Sequence, residues 1–517
     1  MHITKDIKIL LGISILLFVL TFPLAKNIDF MQNDDWVYYK TTADFMQGVI
    51  KLDPYIGPTF YLQGFIGALW GKLFTLQTLP VLTMLLTVFN FFIFAVILNK
   101  FFNQNWISVT IIGSLYAFNP LNVYTALGYM TTQYFMLFSL LAFYNFLLFE
   151  KTQKNIYLLL TLAIAFMGLL VRQVSLSIPL SMAVYFAVKK DTKRAWLSFF
   201  SFLGFAGIYN FFIPLTARMR ETGLQLHHFK EVNYTYSLIY GILVILAAFL
   251  LPLIISIFFR KTQIKTIFSV KKNLFAFVLI LALLFFALNK YFTPQDISWG
   301  EFPYFENTFE RTGFYPRGIG GTKYHFRGFY DLFRYWDLAA KIGISVLLSY
   351  LLIFKRKFIN FHSIFIGVYI LLMITVETMY DRYNLILIPP AIMFLLSIQN
   401  NLLNSAQKLI IAFFGFFLMF FSYQFAVDFV LINKYVWNKA KEISHSENIP
   451  EKKIQGTNAW KLKFINDTRD YTYNFSYDSP EINEIYRCCY DLIEVEEIKY
   501  PVNFFVNPKI YLYKIKE

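Results

Sequence analysis

Two adjacent carboxylates stand near the start of the chain, at Asp34 and Asp35, and aromatic residues follow them at Trp36 and Tyr38. Adjacent carboxylates repel each other and resist ionising together, so one of them is a candidate general base with a raised pKa. An acidic loop that stays in water beside a membrane would have the same composition. On this feature alone, a catalytic pair and a plain acidic loop both remain open.

Two arginines lie at the ends of apolar runs. Arg172 and Gln173 separate two such runs with no acidic neighbour in sequence, and Arg382 stands between Asp381 and Tyr383. A charged side chain near hydrocarbon costs roughly 2.5–3.5 kcal/mol on insertion scales, so it usually faces a protein cavity and meets an anion there. The alternatives are a guanidinium that reaches lipid headgroups at Arg172 and a local Asp–Arg pair at Arg382.

A third group of candidates lies in the long segment 293–338, where glycines stand among basic and aromatic residues that include Lys323 and Arg327. This composition suits a mobile flap that closes over an anionic or sugar ligand. The alternative is a plain surface loop, against which the length of the segment is the main argument. His227 and His228 are adjacent instead of being at metal-ligand spacing, so we interpret them as loop residues.

The elements that must position these residues are predicted to be membrane-spanning helices. Hydrophobic residues make up 57% of the 517 residues and charged residues only 15%, which leaves too little polar surface for a water-soluble globule of this length. The net charge is +15, but the basic residues lie largely in short junctions between apolar runs, which argues against nucleic acid as a partner. Cys488 and Cys489 are adjacent, and we expect them not to form a disulfide with each other.

Thirteen apolar runs are long enough to cross a bilayer. They lie at residues 7–25, 78–98, 106–122, 131–149, 156–171, 174–188, 196–215, 235–259, 273–292, 339–354, 359–378, 383–399 and 408–428. The first run follows Lys5 and Lys8 and has no small-residue cleavage site before Lys26, which predicts a retained signal anchor. If the N-terminus is cytoplasmic, every short inside loop carries Lys or Arg, as the positive-inside rule requires.

This threading places the candidate residues on one face of the membrane. Residues 1–428 are predicted to form a transmembrane catalytic domain with outer loops at 26–77 and 293–338. The predicted location is the plasma or inner membrane, with the chemistry on the non-cytoplasmic face.

The composition changes from residue 429 onward. Acidic residues become frequent, and apolar runs shorten to strand length, as at 501–506 and 509–515. Residues 429–517 are therefore predicted to form a small extracytoplasmic α/β domain. The predicted fold class is an all-α polytopic membrane protein of about thirteen helices that carries this domain.

The order of these features resembles the GT-C superfamily of membrane glycosyltransferases, specifically the branch with the protein O-mannosyltransferases and the bacterial lipid A aminoarabinose transferase. In that branch an acidic pair followed by an aromatic residue opens the first outer loop, as in Asp34–Asp35–Trp36. Four further segments are similar to the branch, and they lie at 57–74, 119–135, 169–180 and 380–390. The similarity covers roughly residues 1–400, and its specificity lies in the order and spacing of the motifs.

The resemblance implies an inverting transfer of a sugar from a polyprenyl-phosphate donor to a glycan, lipid or protein acceptor. Asp34 is then the general base, and Asp35 orients the acceptor or tunes Asp34. Arg172 and Arg382 are candidates for binding the donor phosphate. The helpers and substrate contacts that we predict are Lys323, Arg327, Trp36, Tyr38, Thr132, Gln133, Gln173, Asp381 and Tyr383.

One departure from the branch concerns metal binding. Many relatives carry an acidic residue after Met–Thr in the second outer loop, whereas Thr132 and Gln133 follow Met130 and Thr131 here. We therefore predict no metal site and leave a divalent cofactor open. The rival classes are a transporter or flippase, whose charged groups would lie near mid-membrane on broken helices, and a glycan polymerase or ligase with a similar donor.

Overall fold

The structure is a computed structural model. It describes residues 5–221, 229–257, 271–288, 302–305, 307–311, 313–314, 319, 329–354, 358–376, 379–399, 403–464, 471–501 and 508–516. Lys323 and Arg327, His227 and His228, and most of the predicted flap lie outside the described residues.

The described chain is mainly helical. Its α-helices are α1 (Lys5–Lys26), α2 (Asp35–Met46), α3 (Tyr61–Leu73), α4 (Leu79–Phe102), α5 (Trp106–Ala117), α6 (Pro120–Ala126), α7 (Thr131–Thr152), α8 (Asn155–Leu169), α9 (Ser177–Val188), α10 (Thr192–Gly207), α11 (Ala217–Glu221), α12 (Val232–Ser256), α13 (Lys271–Phe286), α14 (Phe329–Phe354), α15 (Phe361–Ile374), α16 (Ile388–Gln399), α17 (Ser405–Ser446), α18 (Asn458–Phe464) and α19 (Glu484–Cys489). Short 3-10 segments lie at Leu76–Thr78, Gln173–Leu176, Asp381–Leu387 and Glu451–Lys453, and a π-helical turn lies at Ile208–Phe212.

Eight of the described helical segments are long and apolar enough to cross a membrane. They are Lys5–Lys26, Leu76–Phe102, Thr131–Thr152, Thr192–Phe212, Val232–Ser256, Leu332–Ile353, Asp381–Gln399 and Ser405–Ser446. Long helices are the expected form of such sequences, because backbone N–H and C=O groups in lipid must bond within their own segment. The chain is therefore a mainly helical membrane protein, as predicted.

The helices differ in how deeply they are buried in the bundle. The most apolar part of the α4 segment is 72% buried and that of α12 is 78% buried, whereas the corresponding parts of α1 and α10 are only 11% buried. Some buried polar groups in the centre join neighbouring helices, as Asn90 of α4 does when its Nδ2 donates to the carbonyl oxygen of Gln133 in α7 at 2.9 Å. The centre of the bundle is therefore packed like a protein core, while the outermost helices present apolar surface.

Helix α17 connects the bundle to the C-terminal region without a break. It begins at a capping box, in which the side chain of Asn404 accepts from the N–H of Gln407 at 2.9 Å. Its residues 405–446 run through the predicted domain boundary at 428. The composition changes inside this helix, because its first part is apolar and its last part carries charged residues such as Lys439 and Glu442.

The C-terminal region contains a small sheet, as predicted. Its strands are β3 (Ile454–Gln455), β4 (Tyr473–Ser476), β5 (Tyr490–Glu497) and β6 (Lys509–Ile515), in the order β3-β4-β6-β5. Strand β3 is parallel to β4, and the other pairs are antiparallel, with Phe475 opposite Leu512. A separate hairpin of β1 (Phe309–Glu310) and β2 (Gly313–Phe314) lies within the helical part of the sequence.

The sheet is tied to the end of α17. The Glu494 carboxylate accepts from Lys439 Nζ at 3.0 Å and from the Tyr435 hydroxyl at 3.0 Å. Lys514 Nζ also lies 3.2 Å from Glu447 Oε2. These polar contacts fix the sheet against the part of α17 that lies beyond the apolar run.

The prediction that the two cysteines are not bonded to each other was wrong. Cys488 and Cys489 form a disulfide at the junction of α19 and β5, with their Cα atoms 3.8 Å apart. The prediction used the usual Cα separation of about 4.4–6.8 Å. That range is the common one for bonded cysteines, and adjacent residues lie outside it because one trans peptide bond fixes their Cα distance at about 3.8 Å.

Candidate functional site

A cavity of about 380 Å³ lies where the segment after α1, the end of α8 and the start of the 381–387 segment meet. Its described lining includes Asp34, Arg172 and Arg382. These three charged residues are far apart in the sequence, and the fold brings them to one hollow. We therefore treat this cavity as the candidate functional site.

Asp34 stands at the start of α2 with its carboxylate facing the cavity. It occupies the N-cap position but makes no side-chain capping hydrogen bond. Its Oδ2 instead lies 3.9 Å from Nη2 of Arg382, and its side chain is 43% exposed, against 5% for Arg382. Asp34 is thus a cavity-facing carboxylate beside a buried guanidinium.

Arg172 lies in an extended link between α8 and the following 3-10 segment, with φ −148° and ψ 133°. The chain beside it is docked onto the beginning of α3, because Phe60 N donates to Val171 O at 3.1 Å and Leu62 N donates to Leu170 O at 3.0 Å. These backbone bonds join the start of α3 to the end of α8. Because α3 also packs against α2, which begins directly after Asp34, they hold Arg172 near Asp34.

The two cavity arginines are held by tyrosine rings. Arg172 Cζ lies 4.5 Å from the ring centre of Tyr383, and Arg382 Cζ lies 5.7 Å from the same ring. Arg382 Cζ is also 4.6 Å from the ring centre of Tyr380. Cation–π contacts offset part of the repulsion between the two guanidiniums, and the N–H donors, which lie in the plane of each guanidinium, can still bind an anion.

Arg382 is also oriented by the segment that leads into β1. Its Nη1 donates to Asn307 Oδ1, and Asn307 lines the cavity. Asp381 Oδ2 accepts from the N–H groups of Thr308 at 3.0 Å and Phe309 at 2.8 Å. Asp381 is 1% exposed and is not among the described lining residues. It holds residues 307–309 in place, and they in turn hold Arg382.

We expect Asp381→Asn to lower the free energy of unfolding by about 1–3 kcal/mol, because a carboxamide has one acceptor oxygen where the carboxylate has two. Thermal unfolding in detergent measures this effect. Asp491→Asn, at an exposed position of β5, is the matched control and should leave the unfolding midpoint unchanged. Equal midpoints for the two variants would refute the anchoring role of Asp381.

Asp35 is not among the described lining residues of the cavity and is 1% exposed. Its Oδ2 accepts from the N–H of Tyr129 at 2.9 Å. A Cβ atom at Gly128 would lie 2.5 Å from this oxygen, so the close approach requires glycine there. Burial raises the pKa of Asp35 to about 7, against the lowering effect of the hydrogen bonds from Tyr129 and Gln32. Asp35 is therefore the carboxylate of the pair that has a raised pKa, whereas Asp34 is the carboxylate that lines the cavity.

The buried Asp35 should make stability depend on pH. The carboxyl pKa is about 3.9 in an unfolded chain and about 7 in the folded protein, so the folded state binds more protons between these values. The stabilising contribution of the protonated group is fully present below the unfolded pKa and is lost as the pH rises through about 7. We expect Asp35→Asn to flatten this part of the curve of unfolding midpoint against pH. Parallel curves for the variant and the wild type would contradict the assignment.

Three other predicted contact residues line the cavity, namely Tyr38, Gln173 and Tyr383. Trp36 is not among the described lining residues. Its ring packs on Tyr55 at 5.8 Å, and Tyr55 does line the cavity. Trp36 therefore packs against a residue of the cavity lining, Tyr55, and is not itself among the described lining residues.

Thr132 and Gln133 lie in the core instead of in the cavity wall. Gln133 Nε2 donates to Asn122 Oδ1 at 2.9 Å and to Thr125 Oγ1 at 2.8 Å. Thr131, one residue earlier, lines the cavity. Within the described ranges, no group of three His, Cys, Asp or Glu residues could hold a metal ion.

Sequence reasoning missed several lining residues. They are Asn307, Arg218 of α11, Asn458 and Leu462 of α18, and an apolar group that includes Phe202, Leu372 and Met373. None of them belongs to a motif. Arg218 had only the weak signal of a basic residue in the segment after the seventh apolar run, and Asn458 had no signal, because nothing in its local sequence links it to the helical bundle.

Comparisons with protein-family models, with curated proteins and with solved structures found no match to this chain. The resemblance to the GT-C branch is therefore an expectation that rests on the order and spacing of the residues quoted above. The geometry of the cavity is a separate observation that does not depend on it.

Proposed function

We propose that the chain is an inverting membrane glycosyltransferase of the GT-C type, which moves a sugar from a polyprenyl-phosphate donor to an acceptor on the non-cytoplasmic face. The observation that carries this proposal is that Asp34, Arg172 and Arg382 line one cavity. A carboxylate beside two guanidiniums supplies a base for the acceptor and a binding site for a phosphate leaving group. The order of motifs along the sequence supports the same activity.

The proposed topology has thirteen spans. Besides the eight long segments, five described apolar helices of 10–17 residues lie at Trp106–Ala117, Asn155–Leu169, Gln173–Val188, Leu274–Phe286 and Phe361–Ile374. All five overlap runs that the sequence predicts to cross the membrane. If the N-terminus is cytoplasmic, the positive-inside rule predicts that the cavity opens on the non-cytoplasmic side of the plasma or inner membrane. Residues 429–517 then lie on the same side.

The lining of the cavity suits an amphipathic lipid phosphate. Phe202 of α10 and Leu372 and Met373 of α15 give it an apolar wall. Arg172 and Arg382 give it a cationic part. A polyprenyl chain against the apolar wall and a phosphate at the arginines would match both parts of the cavity.

The chemistry then follows from the position of each group. The Asp34 carboxylate takes the proton from an acceptor hydroxyl or amine as that atom forms a bond to the anomeric carbon of the sugar. The bond from the anomeric carbon to the phosphate oxygen breaks, and its electron pair leaves with the polyprenyl phosphate. Attack from the face opposite the leaving group inverts the anomeric centre. Arg172 and Arg382 stabilise the negative charge that grows on the phosphate.

The positions of the arginines favour a transferase over a transporter. Arg172 lies in the link that follows α8, and Arg382 lies in the 3-10 segment that precedes α16. Both are thus at the ends of helices, where a lipid headgroup would lie. A transporter would be expected to hold its charged groups near mid-membrane.

The experiment that tests the function uses purified protein in lipid nanodiscs with a panel of polyprenyl-phosphate hexoses and pentoses. Glycan, lipid and peptide acceptors are supplied in turn, and released polyprenyl phosphate is measured. We expect release from at least one donor, dependent on an acceptor. No release from any donor would overturn the proposal, and products that lengthen with time would indicate a polymerase.

A further inference from the structure

Helix α18, from the C-terminal sheet region, forms part of the cavity wall. Asn458 and Leu462 line the cavity together with Asp34 and Arg382. Because they are four residues apart, these two side chains lie on the same face of the helix. Helix α18 also contacts α2, the helix that begins directly after Asp34. The C-terminal region therefore reaches the candidate site.

The position of α18 is fixed by a pair of tryptophans. Trp460 is 1% exposed, and its ring packs on that of Trp437 in α17 at a centroid distance of 5.1 Å. Trp437 Nε1 donates to Thr457 Oγ1 at 2.8 Å, and Trp460 Nε1 donates to the carbonyl oxygen of Glu451 at 3.2 Å. Because α17 is one continuous helix, these contacts hold α18 in a defined place relative to the bundle.

The chemistry of the α18 wall differs from that of the rest of the cavity. The apolar wall from α10 and α15 suits a lipid chain, and the arginines suit a phosphate. The Asn458 carboxamide is uncharged and carries both donors and an acceptor, so it suits hydroxyl groups. In the proposed reaction Asp34 must face the atom that attacks the anomeric carbon. In that reaction the sugar of the donor therefore lies beside Asp34, close to the start of α2. Helix α18 packs against α2.

We infer that α18 is a sugar-binding wall of the cavity, in which Asn458 hydrogen-bonds a hydroxyl group of the donor's glycosyl unit. Asn458 is then a specificity-determining residue, and the C-terminal region takes part in choosing the sugar. The inference rests on the proposed function, because it takes a lipid-phosphate sugar as the donor.

The test measures binding to the full-length protein in nanodiscs. The probes are a polyprenyl-phosphate sugar from the panel and bare polyprenyl phosphate. We expect the wild type to bind the sugar-bearing lipid more tightly than the bare lipid. Asn458→Ala should weaken binding of the sugar-bearing lipid about five-fold, the size of one hydrogen bond, and leave binding of the bare lipid unchanged. Lys461→Ala is the matched control, because Lys461 is exposed on the same helix and does not line the cavity.

The possible results are distinct. If Asn458→Ala keeps the full preference for the sugar-bearing lipid, the inference is wrong and the proposed function stands. If the variant weakens both lipids equally, Asn458 has a structural role and the inference is again wrong. If the wild type binds neither lipid, the proposed function fails and the inference fails with it.

Discussion

Asp34→Asn is expected to abolish sugar transfer while expression, membrane insertion and the unfolding midpoint stay at wild-type levels. Asparagine has the shape of aspartate but cannot accept the proton of the acceptor, and a positioned general base contributes about 10²–10⁴-fold to the rate. Little loss of stability is expected, because the oxygen of a carboxamide can still face Arg382, and Asp34 makes no capping hydrogen bond and has a side chain that is 43% exposed. Release of polyprenyl phosphate from a donor identified in the panel measures the effect.

The matched control for this variant is Asp44→Asn. Asp44 lies on the same helix, α2, and is not among the described lining residues of the cavity. It should retain transfer. If Asp34→Asn kept turnover within about ten-fold of the wild type, below the range for a general base, Asp34 would lose its assignment as the base.

Arg172→Ala is expected to lower the rate of transfer by about 10²–10³-fold, the usual effect of removing one donor to a developing anion. Arg382→Ala should have an effect of the same order. Arg172→Lys should be little faster than Arg172→Ala. An ammonium has no planar face to lie over the Tyr383 ring, and it lacks the two parallel donors with which a guanidinium binds an anion. Steady-state kinetics with the same donor measures all three variants.

A double-mutant cycle extends this test. If Arg172 and Arg382 bind one phosphate, their effects on the rate should not be additive. Arg194→Ala is the control, because Arg194 pairs with Asp191 at 2.8 Å and lies outside the described cavity lining. Near-normal transfer by Arg172→Ala would favour the alternative in which Arg172 reaches lipid headgroups.

The helical membrane architecture could be predicted because composition and run length determine it. The predicted run at 131–149 corresponds to α7 at Thr131–Thr152, and the run at 7–25 corresponds to α1 at Lys5–Lys26. The end of the last run was less predictable. Helix α17 continues past 428 to Ser446, since a helix can pass from an apolar to a polar sequence without a signal that would end it.

The site could be predicted only in part. Arg172 and Arg382 were recognisable because an arginine beside an apolar run needs a special environment. The burial of Asp35 away from the cavity lining was not, because it depends on the backbone of Tyr129, which lies far along the sequence. The same holds for Asn458, which reaches the cavity only through the packing of α18 on α17.

The most direct test of the proposed site is a cryo-electron microscopy structure of the Asp34→Asn variant with a bound polyprenyl-phosphate sugar. The variant should hold the donor without turning it over. The proposed function predicts the phosphate within hydrogen-bonding distance of both Arg172 and Arg382, with the anomeric carbon facing residue 34. A donor bound elsewhere on the protein, with this cavity free of it, would contradict the proposal.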